Sequence, residues 1–210
     1  AVVYVPYDWP EVPDYLKALR ARKGLAGANV LLVTRFGHTM ALAGADDSFI
    51  SLEQASATFG TSFRPVNFHE LVEQMKPLTA EGNTTTPGRT TPNLTNDDLA
   101  ELDAYADELI SGAEECDISK EYLLNSLKAW KIVNKHLDAH DCSGCAIPCP
   151  DLCSTRRLND EKFTFCLNHQ LNNERGIASA CKYDIAATLT MMAELCLSGH
   201  VPYMANTLPL

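Results

Sequence analysis

Four of the eight cysteines crowd into Cys142-Ser143-Gly144-Cys145-Ala146-Ile147-Pro148-Cys149-Pro150-Asp151-Leu152-Cys153, with two, three and three residues between them. Thiolates this dense suit zinc or an iron–sulfur cluster, so Cys142, Cys145, Cys149 and Cys153 form a candidate metal set. Pro148 and Pro150 keep such a loop open. The spacing is not that of bacterial ferredoxins, and the same cysteines also read as small buried hydrophobes beside a pocket. Cys116, Cys166, Cys181 and Cys196 are scattered and read as buried thiols. Downstream, Asn168-His169-Gln170 and Asn172-Asn173 gather amides and an imidazole, the groups that grip sugars. His169, Asn172 and Asn173 are therefore candidate substrate-binding residues, although Asn also caps loops.

The order Asn172-Asn173-Glu174-Arg175-Gly176-Ile177, Ala180-Cys181-Lys182-Tyr183-Asp184-Ile185, then Pro202-Tyr203-Met204-Ala205-Asn206, resembles the metal-binding core of the L-fucose isomerase-like family of sugar isomerases. The family motif is Gly-Ile/Met-x-x-Ala-Cys-Glu-x-Asp-Ile. The resemblance implies aldose–ketose isomerisation of a deoxy sugar or pentose through an ene-diol. It also implies a Mn²⁺ held by a Glu, an Asp and a later His, and a homo-oligomer. By position the Glu falls on Lys182, the Asp falls on or near Asn206, and the His lies beyond Leu210. Lys182 is a cation near neutral pH and repels Mn²⁺, whereas Asn206 offers one neutral oxygen. A desolvated Lys182 would instead be a base. Asp184 matches the family Asp two residues after the Glu, and also reads as an N-cap for the helix beginning at Ile185. The resemblance thus implies a sugar isomerase, active or disabled where Lys182 replaces the motif Glu; the alternatives are a non-catalytic sugar-binding relative or, from the cysteine spacing, a Cys-ligated zinc or iron–sulfur protein.

The elements that must position these residues form an α/β pattern. Residues 1–78 alternate strand and helix signals, giving a parallel-sheet domain of Rossmann or flavodoxin type. Strands are expected at Val2–Val5, Val30–Val33 and Phe63–Phe68. Helices are expected at Glu11–Lys23, with Tyr15, Leu16 and Leu19 on its apolar face, at Leu52–Phe59, and at His69–Lys76. Residues 79–96, rich in Thr, Pro, Gly and Asn, read as a linker. Residues 97–210 read as a helical connector followed by part of a second α/β domain. Helices are expected over Asp97–Ile110, Ser119–Leu137 and Asp184–Leu197, a short apolar element over Phe163–Leu171, and a strand over Val201–Ala205. The stretch from His140 to Cys153 reads as irregular. Arg35-Phe36-Gly37-His38 follows a strand, where α/β ligands sit, although a lone His there is more often solvent-facing. Trp9 reads as core packing before sugar stacking.

Forty-six per cent of the 210 residues are apolar, enough for a sizeable core, and the net charge is −10. That charge argues against nucleic acid or an anionic membrane as partner. No window approaches a membrane span, and the Ala1 start lacks a signal-peptide pattern. The abrupt ends read as those of an interior fragment. Cysteines in such a chain read as reduced thiols of the cytoplasm.

Overall fold

A computed structural model describes residues 3, 5–34, 50–77, 92–149 and 157–205. In chain order the elements are α1 (Val12–Ala26), β1 (Asn29–Thr34), α2 (Leu52–Phe59), β2 (Ser62–Asn67), α3 (Phe68–Gln74), α4 (Asn96–Gly112), α5 (Lys120–Ala139), β3 (Cys142–Ala146), α6 (Arg157–Asp160), α7 (Cys166–Glu174), β4 (Ala178–Ala180) and α8 (Ile185–Ser198). The four strands form one all-parallel sheet in the order β2-β1-β3-β4. The α/β parallel-sheet class expected from the pattern is therefore observed. Strands from 1–78 and from 97–210 hydrogen-bond to one another, so the sheet does not divide at the 79–96 segment.

Local chemistry explains most of the boundaries. The run Val30–Val33 is wholly buried, as a central parallel strand requires. Ser51 and Ser119 accept hydrogen bonds from the N–H groups of Gln54 and Tyr122 and start α2 and α5. Thr95 and Asp98 form a reciprocal capping box on α4. Gly60 and Gly199 end α2 and α8 in the left-handed region, with φ of 76° and 70°.

Two apolar layers sandwich the sheet. Leu31, Val33, Cys145 and Ile147 point to the face covered by α3, α4, α5 and α7. Val30, Leu32, Ala146, Ala178 and Ala180 point to the face covered by α1, α2 and α8. A Cβ added at Gly144 of β3 would lie 3.0 Å from the Ala178 carbonyl oxygen and 3.2 Å from Met192 Sδ, so glycine lets α8 settle directly on the sheet.

Several expectations are corrected. Val3 and Val5, the described part of the expected first strand, are exposed and lie in no strand, since neither pairs with the four-stranded sheet nor covers its core. Residues 201–205 form no strand either. Pro202 lacks the N–H a ladder needs, and Val201 and Tyr203 face solvent. On α1 the buried residues are Ala21 and Leu25, while Leu16 and Leu19 are exposed. The contact with α8 is made through small residues, Gly24 lying against Cys196. Trp9 is 85% exposed rather than packed in the core. The stretch expected to be irregular after His140 contains β3, and the recognised motif contains β4. Both strands are short and built of Cys, Gly, Ala and Ser, which carry little strand signal. Residues Arg35 to His38 lie outside the described set.

Candidate metal centre

Cys149 stands three residues past β3, and Cys181 directly follows β4. Both lie at the carboxyl edge of the parallel sheet, where α/β proteins place their ligands. Backbone bonds stitch the two exits together. Ile147 N–H donates to the Ala180 carbonyl at 3.1 Å, and Tyr183 N–H donates to the Ile147 carbonyl at 3.0 Å. After Cys181 the chain turns through two successive left-handed residues, Lys182 at φ 60° and Tyr183 at φ 56°. Side chains rarely adopt this region, so the turn is over-determined by its surroundings. It delivers Asp184 to the start of α8, where Oδ1 accepts the Ala187 N–H at 2.8 Å. The capping reading of Asp184 is thus the observed one.

His169, on α7, completes the group. One ligand atom from each of Cys149, His169 and Cys181 lies within 4.8 Å of the other two, and this is the one such group of three His, Cys, Asp or Glu among the described residues. His169 Nε2 is 3.2 Å from Cys149 Sγ. Its Nδ1 is 2.7 Å from Ser179 Oγ, which orients the ring and leaves Nε2 to face the thiols. The Cys149 thiol hydrogen-bonds to Cys181 and holds it well below the ordinary thiol range against the opposing effect of burial, aided by His169 and the backbone at Lys182. Cys181 is half-buried and Cys149 is buried.

Behind His169 runs a chain of buried amides. Ser179 Oγ also meets Cys145 Sγ at 3.1 Å and Asn168 Nδ2 at 3.3 Å. Asn173 grips the Ser179 backbone at both N–H and carbonyl. Asn172 donates to Asn168 Oδ1, and its own Oδ1 accepts from Trp130 Nε1 and Asn134 Nδ2, each at 3.0 Å. Arg175 donates to Asn134 Oδ1 at 2.8 Å and lies over the Trp130 ring.

The sequence-predicted residues are therefore divided. His169 and Cys149 enter the group. Asn172 is fully buried and Asn173 is committed to β4, so both serve the framework rather than an open sugar site. Cys142 and Cys145 do not join Cys149: Cys142 donates to the His140 carbonyl, and Cys145 faces Ser179. Burial pushes their thiols up to about 12 and about 11, which makes them poor ligands. Cys153 and Asn206 lie outside the described residues. Of the cysteines read as buried thiols, Cys116 and Cys166 are exposed on helix ends and connections, and Cys181 and Cys196 are half-buried. Cys181 is the member of the group that sequence reading missed. The available signal was that Cys181 directly follows Ala178-Ser179-Ala180, a run of small residues of the kind that forms a tightly covered strand.

The set fits a borderline-soft metal. Zinc bonds to thiolate sulfur and imidazole nitrogen at about 2.3 and 2.0–2.1 Å, which in a tetrahedron places ligand atoms roughly 3.5–3.8 Å apart. His169 Nε2 and Cys149 Sγ stand 3.2 Å apart, all three ligand atoms lie within 4.8 Å of one another, and the imidazole is already oriented from behind. The described residues supply three ligands, the number that a catalytic zinc site takes from its protein while keeping a fourth position for water or substrate. No protein-family model matches the chain, and no curated protein matches it.

Proposed function

We propose that this chain is an α/β domain that holds a zinc ion through Cys149 Sγ, His169 Nε2 and Cys181 Sγ, with an open fourth position. The observation that carries the reading is the convergence of these three groups from β3, α7 and β4 at the carboxyl edge of the sheet, with Ser179 fixing the imidazole from behind. When bound, such an ion polarises a carbonyl or acidifies a water. The protein's own residues hold the ligands in register: Asn173 locks Ser179, Ser179 locks His169, and the Ile147–Tyr183 bond holds the two cysteine-bearing turns together. Such a thiol-rich site suits a reducing compartment. Among the described residues no helix is long and apolar enough to cross a membrane.

A Mn²⁺-dependent sugar isomerase has less support. Hard cations call for carboxylates, and among the described residues no carboxylate joins a ligand group of three. Asp184 is occupied as a cap, and Lys182 brings a cation to the position of the family Glu. A sugar ligand and homo-oligomeric assembly rest on the sequence resemblance alone.

The test is a zinc titration of chelator-stripped, reduced protein against a competing colorimetric chelator. One zinc per chain is expected, and Cys181→Ser or His169→Ala should weaken binding by more than the roughly 10–100-fold cost of losing an outer-shell partner. Zinc uptake unchanged in both variants, or no stoichiometric uptake by folded wild-type protein, overturns the reading.

A further inference from the structure

We infer that, without metal, Cys181 and Cys149 act as an attacking and resolving pair in thiol–disulfide exchange with small disulfides, closing a Cys149–Cys181 bond. The inference uses the ligands of the proposed zinc site but needs no metal, so the two readings can fail separately.

The geometry assigns the roles. The two sulfurs lie within 4.8 Å of each other on turns that backbone hydrogen bonds hold side by side. A disulfide needs about 2.05 Å between sulfurs, a gap that side-chain rotation and a small shift of the two turns must close. Cys181 is half-buried, within reach of an incoming disulfide, whereas Cys149 is only 4% exposed. An outside disulfide therefore meets Cys181 first, and Cys149 can reach only a sulfur already bound at Cys181. Cys145, the other buried thiol of this region, faces Ser179 instead.

Atoms and electrons balance as follows. Cys181 thiolate attacks one sulfur of R–S–S–R, forming Cys181–S–S–R and releasing R–S⁻. Cys149 passes its proton to His169 Nε2, 3.2 Å away, and attacks Cys181 Sγ. The second R–S⁻ leaves and takes that proton back from His169, water protonates the first, and the Cys149–Cys181 disulfide remains. The protein has lost two electrons, and the substrate disulfide has become two thiols. The closed pair no longer offers two thiolates, so zinc and the disulfide exclude each other.

The experiment treats chelator-stripped, reduced full chain with oxidised glutathione and follows it by intact mass and peptide mapping. Wild type should lose two hydrogens with only a transient glutathione adduct, and mapping should link the peptides of Cys149 and Cys181. Cys149→Ser should instead retain glutathione on Cys181, and Cys181→Ser should show neither the link nor an adduct at either position. Saturating zinc should slow the wild-type reaction. A persistent adduct on Cys181 of wild type, or a link from Cys181 to a different cysteine, overturns the inference; adducts on the exposed Cys116 and Cys166 are read separately by the map. If Cys149→Ser does not fold, the wild-type map and Cys181→Ser decide. Closure of the pair in protein that takes up no zinc would support this inference while sinking the zinc reading; zinc uptake without closure would do the reverse.

Discussion

Removing the Ser179 hydroxyl tests how the site is built. Ser179→Ala deletes one oxygen in a position 1% exposed. A metal at His169 Nε2 needs the lone pair there and therefore a proton on Nδ1, which donates to Ser179 Oγ at 2.7 Å. Without that acceptor the Nδ1–H loses its partner in the metal-bound form, at a cost of about 1–3 kcal/mol. At about 1.4 kcal/mol per tenfold, this weakens zinc binding by roughly 5- to 150-fold, in line with the roughly 10–100-fold measured for outer-shell partners elsewhere. Cys145 and Asn168 lose the same oxygen with or without metal, so their loss cancels in binding and appears in the stability of metal-free protein. Competition titration reads the first effect and urea unfolding of the stripped protein reads the second. Should zinc affinity stay within about twofold while stability alone falls, Ser179 is a packing residue and the imidazole is not being held for a metal.

Two further outcomes are expected away from the site. Burial, and then the stacked His140, push His136 down to about 4 from 6.5. The unfolded chain then takes the proton first, so stability present above pH 6.5 is lost as pH falls toward 4, by about 3 kcal/mol in all. Urea unfolding across that window should show wild type falling more steeply than His136→Gln, and parallel slopes would refute the assignment. Gly144→Ala forces a methyl to within 3.0 Å of the Ala178 carbonyl oxygen. Overpacking of this kind costs about 1–3 kcal/mol, read as a lowered denaturation midpoint; an unchanged midpoint would show that α8 does not rest directly on β3.

How much was legible depended on side-chain size. Val30–Val33 announced itself because a buried central strand is a run of branched apolar residues. The α5 start was legible at Ser119, and the α4 start to within a residue or so of Thr95, because such hydroxyls satisfy the N–H groups that a helix start leaves free. β3 and β4 were hidden, since Cys-Ser-Gly-Cys-Ala and Ala-Ser-Ala owe their strand state to the partners beside them. Missing those strands hid the site. Cys142 to Cys153 looked like one ligand loop because the residues are close in sequence. A strand instead sends Cys142 and Cys145 into separate surroundings and carries Cys149 to the edge, where it meets a thiol and an imidazole from elements further on. Asn168 and Asn172 were legible as polar residues near a site, but only tertiary contact reveals that Trp130 and Asn134 satisfy Asn172 from a distant helix, while Asn168 bonds to Asn172 and Ser179.

The position of β1 at the middle of the sheet has a kinetic side. Its neighbour β2 arrives after a modest excursion, but β3 is delivered only once α4 and α5 have been made. Loop closure of that length must be met before the pairing returns any free energy, so acquisition of the sheet is expected to be slow and late. Until then the bare edge of β1 is an adhesive surface for other unfinished copies. Since the thiol and imidazole groups meet only when β3 and β4 have docked, metal capture would report the last step of assembly.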